Sequence, residues 1–205
     1  MSEPVDVWEL ASNRDFDGII ALAVSDDEET RRSACFVLGF LAEQGSHDLE
    51  SMRKLIPLLT HARHEVRSTA AYAIGECAQH GLLDTNAIAP LHSLVSDPET
   101  DVRKQALSAI AWLATKGVRD RSTVPRLNKA LVDPEAEIRL TAAASIAVVA
   151  RSGVAEESSI APLQLLCTDP ADVGLSGVGA GQWNTTVGKV AAVALAEVKK
   201  RLAKS

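Results

Sequence analysis

The sequence predicts an all-α fold, an α-α superhelix in which about five helical hairpins stack into one right-handed solenoid. One observation is a period of 36 residues that runs through most of the chain. A fixed period of this length is typical of solenoids, whose repeats bury their apolar faces only against one another. Another is a composition that is 46% hydrophobic but only 3% aromatic, which favours a core of aliphatic side chains between closely packed helices. The recurring residues are an arginine, an alanine, an aliphatic residue and a glycine: Arg31, Arg67, Arg103 and Arg139; Ala34, Ala70, Ala106 and Ala142; Leu38, Ile74, Ile110 and Ile146; Gly45, Gly81, Gly117 and Gly153.

The unbroken period also predicts that residues 1–205 form a single domain. An N-terminal cap over 1–14 precedes the repeats, and in each repeat a short apolar helix leads into a longer second helix. The predicted repeats span about 15–47, 48–83, 84–119, 120–155 and 156–205, and the last contains a glycine-rich insertion at 171–186.

The second helix of the third repeat has the clearest boundaries. Asp97 is predicted to be its N-cap and Pro98 its first residue, where a missing N–H costs nothing. Gly117 is predicted to end it as the C′ residue. Between these limits, apolar residues at helical spacing define one buried face: Val102, Ala106, Ile110, Leu113 and Ala114.

An acid stands two places before each periodic arginine: Glu29, Glu65, Asp101 and Glu137. The pattern Asp-Pro-x-x-x-[Val/Ile]-Arg-x-x-Ala-x-x-x-[Ile/Leu] resembles the HEAT-repeat family, and in its short period the bilin-lyase-like HEAT repeats, over about residues 15–203. The resemblance implies a HEAT/armadillo-like solenoid whose second helices line a concave face. It also implies that the four arginines and the acids before them form a ladder that links neighbouring repeats.

The second helices carry a stripe of unusual residues on the side opposite the core. Five places after the arginine the helices hold Phe36, Tyr72, Ser108 and Ala144, and nine places after it they hold Phe40, Glu76, Trp112 and Val148. Exposed apolar patches mark contact sites, and Trp and Tyr are frequent interface anchors. The candidate partner-binding residues are therefore the following, called the outward stripe below: Phe36, Phe40, Tyr72, Glu76, Trp112 and Val148. In the alternative interpretation, Phe36 and Phe40 pack between helices or beneath the N-terminal segment.

The period breaks in the fifth repeat. Asp169 and Pro170 stand at the positions that the 36-residue period predicts. About 13 extra residues follow them, and Gly188 occupies the position where the arginine is expected. Trp183, within the insertion, is a candidate loop contact for a partner, and the alternative is that the insertion caps the last repeat. At the other end Trp8 is predicted to be a core residue of a short capping helix.

The net charge, the start of the sequence and the cysteines indicate which ligands and which compartment to expect. A net charge of −6 makes general binding to nucleic acid or an anionic membrane unfavourable. The start of the sequence has no secretory signal pattern and the chain has no long apolar run, so a cytoplasmic protein is expected. The three cysteines are expected to be buried apolar residues rather than a disulfide framework.

Little in the sequence predicts catalysis. His61 and His64, with Glu65 adjacent, form a weak metal-ligand pattern at a turn, and no second cluster accompanies them. No catalytic residue, metal or cofactor is expected. The predicted function is a non-catalytic scaffold that binds a helix, loop or tail of another protein. Two alternatives remain open, a bilin or tetrapyrrole lyase-like protein, which would acquire visible absorbance on co-expression with a bilin source, and a DNA-binding HEAT protein.

Overall fold

A computed structural model describes residues 6–118, 120–175 and 183–204, and it describes the side chains of these residues except those of 172–175 and 183–185. Eleven α-helices lie in this part of the chain, in the order α1 (Val7–Ser12), α2 (Phe16–Ala23), α3 (Glu28–Glu43), α4 (Leu49–Leu55), α5 (His64–Gln79), α6 (Ile88–Leu94), α7 (Thr100–Thr115), α8 (Thr123–Ala130), α9 (Ala136–Arg151), α10 (Ile160–Leu166) and α11 (Val187–Leu202). Short 3₁₀ segments at Ile56–Thr60, Thr85–Ala87 and Glu157–Ser159 adjoin α4, α6 and α10. No described helix is long and apolar enough to cross a membrane.

The helices stack as pairs, which confirms the predicted fold class. Each first helix, α2, α4, α6, α8 or α10, packs on the longer helix that follows it, and each second helix packs on the second helix of the next pair. Ile74, Ile110 and Ile146 are at most 3% exposed and belong to one continuous core. Side chains one repeat apart therefore share an interior, as the period predicts.

The second helices end where the periodic glycines predict. Gly45, Gly81, Gly117 and Gly153 have φ angles of 64°, 85°, 89° and 104°, which L-residues with a side chain rarely adopt. After α3 the N–H of Gly45 donates to the Ala42 carbonyl and that of Ser46 to the Leu41 carbonyl, at 3.0 and 2.9 Å. This is the Schellman arrangement, and it satisfies carbonyls that the helix end leaves free.

The helix starts differ from the sequence-based expectation. The structure begins α7 at Thr100 with Glu99 as N-cap, so the prediction that Asp97 is the N-cap was wrong. Asp97 instead closes the turn before the helix, where its Oδ1 accepts from the Glu99 N–H at 3.0 Å. Its carboxylate is then free to face the preceding repeat.

That carboxylate is the partner of a periodic arginine. Arg67 donates from Nε and Nη2 to the two oxygens of Asp97, at 2.8 and 2.9 Å. Nη1 of Arg67 donates to the carbonyls of His61 and Ala62 at the turn of its own repeat. One guanidinium therefore fixes its own inter-helix turn and the turn of the next repeat, 30 residues after it in sequence.

The same arrangement recurs in the next two repeats. Arg103 contacts Asp133, with distances of 3.1 Å from Nη2 to Oδ1 and 3.0 Å from Nε to Oδ2. Arg139 donates to Asp169 at 2.7 Å. The arginine partners are thus the aspartates of the Asp-Pro turns, and the expectation that they are the acids two places before each arginine was wrong. One of those acids, Glu137, bonds Lys104 of the preceding repeat instead.

The first repeat interface lacks this pair. His61 occupies the position of Asp97 and accepts the N–H of Arg63 through Nδ1 at 3.2 Å, but an imidazole offers no carboxylate to Arg31. Nη1 of Arg31 donates to the carbonyls of Ser25 and Asp26, while its buried Nε has no hydrogen-bond partner among the described residues. Arg63 crosses this interface in the opposite direction and pairs with Asp26 at 2.7 Å, where the aspartate side chain is fully exposed.

The ladder ends at the fifth repeat because of close backbone packing. A Cβ on Gly188 would lie 2.5 Å from the carbonyl oxygen of Cys167, so no larger residue fits there without a shift of the backbone. Between Asp169 and Gly188 the structure contains two strands, β1 (Asp172–Leu175) and β2 (Trp183–Thr186), paired antiparallel with Asp172 opposite Thr186. Sequence analysis predicted a glycine-rich loop here and missed this pairing. Residues 176–182 lie outside the described residues.

We expect the stack to lose stability in acid. The hydrogen bond from Arg139 lowers the pKa of Asp169 below its ordinary 3.8, and Arg53 does the same for Asp84. A carboxyl whose pKa is lower in the folded state than in the unfolded chain contributes its full stabilisation above about pH 3.9 and loses it as the pH falls through the folded-state value. Thermal midpoints measured from pH 6 to pH 3 should therefore drop steeply below about pH 4. The variant Asp169→Asn should be less stable at pH 6 and show a shallower drop, and an equally steep drop would contradict a contribution from this pair.

Candidate functional site

The outward stripe remains accessible to solvent. Phe36 is 65% exposed and Phe40 39% exposed, which is unusual for large aromatic side chains. The other stripe residues are partly exposed: Tyr72, Glu76, Trp112 and Val148. None of these six side chains is buried, so the alternative in which neighbouring helices enclose the phenylalanines does not describe this structure.

The N-terminal helix adds a third ring to the exposed phenylalanines. The Trp8 ring centroid lies 6.2 Å from that of Phe36 and 5.8 Å from that of Phe40, both in edge-to-face geometry. Trp8 is itself 48% exposed, so the prediction that it is a core residue was wrong. Val7, the preceding residue, is the buried residue of α1. Trp8 therefore covers the two phenylalanines in part, as the other half of the alternative interpretation expects, and extends the apolar surface across α1 and α3.

A pocket opens between α3 and α5 beside these rings, called the α3–α5 pocket below. It has a volume of about 270 Å³ and is open to solvent. Gly39 forms part of its floor, because a Cβ there would lie 3.2 Å from a ring carbon of Tyr72. The missing side chain lets the tyrosine ring lie against α3. The lining residues are Cys35, Phe36, Gly39, Phe40, Glu43, Thr69 and Tyr72.

The polar side of the pocket is acidic. The Tyr72 hydroxyl donates to Oε1 of Glu43 across the two helices. Burial raises the pKa of Tyr72 above its ordinary 10.0, and the bond to Glu43 adds to this, so the phenol stays protonated and remains a donor. One turn after Tyr72, burial raises the pKa of Glu76 above its ordinary 4.5, and the charge of Glu43 raises it further. Glu43 thus lines the pocket, and Glu76 lies close enough for the charge of Glu43 to act on it.

The rest of the outward stripe lies beyond this pocket. Trp112 and Val148 occupy the same helix positions on α7 and α9, but they do not line the α3–α5 pocket. On α11 the stripe continues with Val193, which is 50% exposed. Trp183 lies in β2, but its side chain is outside the described residues, so its contact with a partner stays a prediction. The structure thus gathers three stripe residues, Phe36, Phe40 and Tyr72, into one site.

A second apolar surface was missed by sequence analysis. Val132 and Leu165 are 76% and 78% exposed, just after α8 and near the end of α10. Both border an open groove of about 520 Å³ whose other lining residues include Arg139 and Asp169. The signal that could have indicated it is the place that Val132 and Leu165 each take in the period, in the first helices and their connecting turns. This surface lies along the arginine ladder and not on the outward stripe.

The histidines at the turn before α5 and the three cysteines form neither a metal-binding cluster nor a disulfide among the described residues. His64 Nε2 lies 3.7 Å from its neighbour Glu65, and the described residues contain no cluster of three His, Cys, Asp or Glu side chains that could hold a metal. Cys35 and Cys77 are buried, and burial raises the pKa of Cys77 to about 12, so its thiol stays protonated. Cys167 is partly buried and, like the other two, not in a disulfide.

Comparison with known proteins supports the helical-repeat architecture. A family model described as HEAT repeats matches residues 52–118 and, overlapping them, 88–176. An engineered protein of known structure aligns with a TM-score of 0.65 at 21% identity, over 95% of this chain and 83% of its own. A designed armadillo repeat protein aligns with a TM-score of 0.63 at 23% identity, over 94% and 85%. Another, solved in complex with the peptide (KR)4, aligns with a TM-score of 0.64 at 22% identity, over 94% and 85%. No curated protein matches the chain, and at these identities the solved structures support the fold alone.

Proposed function

The chain belongs to the HEAT-repeat family, and from that premise we propose that it is a non-catalytic scaffold that binds a helix, loop or tail of another protein along its outward stripe. The observation that carries this proposal is the exposure of Phe36 and Phe40 in an otherwise aliphatic protein. Exposed large apolar side chains that form a patch are a liability unless a partner covers them. Trp and Tyr, which the stripe also contains, supply much of the binding energy at protein interfaces.

The packing supports a concave placement of the stripe. Second helices contact one another from α3 through α11, whereas the first helices contact the next repeat mainly through short 3₁₀ segments. In a curved stack the layer whose neighbours are closer together forms the inner side. A partner docked there would meet a preformed surface, so little ordering entropy would oppose binding. A solenoid of this fold can accommodate a peptide, as in the designed armadillo repeat protein that holds (KR)4.

We predict that the double variant Tyr72→Ala with Trp112→Ala loses its partner but keeps its fold. Both side chains are only partly buried, so their removal should leave the helical circular dichroism signal and a cooperative thermal transition. Affinity capture from the native host, followed by mass spectrometry, should lose the proteins that wild type retains.

The matched control is Val132→Ala with Leu165→Ala, which removes exposed apolar side chains from the other groove. This control should capture the same proteins as wild type. If the stripe variant retains them and the control loses them, the binding surface lies along the arginine ladder and the proposal is wrong.

A further inference from the structure

The α3–α5 pocket combines two features that favour a cationic side chain. Aromatic side chains line it, those of Phe36, Phe40 and Tyr72, and Glu43 lines it beside the Tyr72 hydroxyl. A cation against the face of an aromatic ring is attracted by the quadrupole of the ring. A purely apolar partner would leave the carboxylate desolvated and without a counter-charge, which is costly.

The negative charge beside the pocket is not balanced within the described part of the chain. Neither Glu43 nor Glu76 forms a salt bridge with a Lys or Arg there. Glu43 accepts the Tyr72 hydroxyl, and Glu76 accepts the Gln79 amide at 2.7 Å, both neutral donors. The imidazole of His80 lies beside them, with its Nε2 3.1 Å from the Glu43 carbonyl oxygen.

Nearby basic side chains do not supply the missing charge. Arg32, on the preceding turns of α3, lies 3.6 Å from Glu28 and is highly exposed. Trp8, at the rim of the rings, is flanked in sequence by two further acids, Asp6 and Glu9. The aromatic surface thus lies in an acidic setting, complementary to a partner that is basic.

We propose, as a refinement that rests on the proposed function, that the α3–α5 pocket binds an arginine side chain of the partner polypeptide. The planar guanidinium lies against the aromatic rings, and its N–H groups donate to Glu43, while Glu76 adds negative charge near Glu43. Apolar residues beside this arginine pack on Trp8 and the exposed edges of Phe36 and Phe40. Arginine fits better than lysine because its guanidinium is planar, stacks on rings, donates to carboxylates in pairs and is more weakly hydrated.

The test uses defined peptides and does not require the natural partner. A labelled peptide of alternating Ala and Arg is titrated with the full chain by fluorescence anisotropy at low salt, and a parallel ¹H–¹⁵N NMR titration locates the site. Matched peptides carry lysine, or the uncharged isostere citrulline, in place of arginine. We expect arginine to bind most tightly, with shifts concentrated in α3 and α5, and citrulline to bind weakest.

The informative variant is Glu43→Gln, which removes the charge but keeps a carbonyl oxygen to accept the Tyr72 hydroxyl. It should weaken binding of the arginine peptide by roughly tenfold or more, the effect of losing one charge-assisted hydrogen bond. The control is Glu135→Gln, which removes the same charge from an exposed position at the start of α9 and should leave the affinity unchanged. Equal affinities for the arginine and citrulline peptides, equal weakening by both variants, or lysine binding as tightly as arginine would each overturn the inference.

The inference and the proposed function can fail separately. If Tyr72→Ala with Trp112→Ala abolishes partner capture while Glu43→Gln leaves both capture and peptide affinity unchanged, the scaffold function stands and the arginine pocket does not. If the stripe variant captures every protein that wild type captures, the proposed function is wrong, and the inference falls with it.

Discussion

Replacing Arg103 with alanine should lower the free energy of unfolding by about 2–4 kcal/mol, because it leaves a buried carboxylate and two turn carbonyls without their donor. The side chains of Arg103 and Asp133 are only 10% and 12% exposed, so water cannot fully replace the guanidinium. The carbonyls of Asp97 and Pro98 also lose their bonds, at 3.0 Å each. Urea unfolding monitored by circular dichroism measures the loss.

The matched control is Arg32→Ala. Arg32 lies on α3 in an i,i+4 pair with Glu28, and both side chains are more than 70% exposed. Exposed pairs of this kind contribute little, so the control should stay close to wild type in its unfolding midpoint. If Arg103→Ala also matches wild type, the ladder does not stabilise the stack.

Replacing Ile110 with alanine should cost about 2–5 kcal/mol, since it removes a buried branched side chain from the middle of the core. Ile110 is 3% exposed and lies between the equivalent residues of the neighbouring repeats, Ile74 and Ile146. The cavity that the alanine leaves would be lined by helices of adjacent pairs, and each helix pair is stabilised mainly by the pairs next to it. Urea unfolding should show a large loss of stability for the whole central stack.

A graded series separates the cavity from other effects. Ile110→Val removes one methylene group and should cost about 0.5–1.5 kcal/mol. Val193→Ala on α11 changes a side chain that is 50% exposed and should have a smaller effect than Ile110→Ala. An Ile110→Ala variant as stable as Val193→Ala would mean that the repeats do not share a core at this position.

The features that sequence analysis predicted correctly are those that repeat. The 36-residue period indicated stacked hairpins, and the glycines at its end, such as Gly117, indicated helix ends that require a positive φ. Helical spacing alone placed Phe36 and Tyr72 on the side away from the core. Such features are local, because the period and the helical turn together determine which residues share a face.

The features that were missed depend on contacts across space. The partner of Arg67 is Asp97, 30 residues away, and no spacing within one helix indicates that pair. The exposure of Trp8 depends on how α1 lies over α3. Because α1 occurs only once in the chain, no repeat in the sequence indicates this arrangement. The α3–α5 pocket depends on Gly39, whose absent side chain lets the Tyr72 ring approach. These contacts are set by how one helix packs against another.

At the first repeat interface, His61 stands where the later repeats have an aspartate. This difference has a mechanical consequence. Three interfaces carry a mostly buried arginine–aspartate pair, but at the one between α3 and α5 the ion pair is that of Arg63 with the fully exposed Asp26. Exposed pairs of this kind hold weakly. The α3–α5 pocket therefore lies at the interface that lacks a buried arginine–aspartate pair, and we expect the first hairpin to adjust there when a chain binds. Slower amide hydrogen exchange in α1, α2 and α3 on ligand binding would report that tightening.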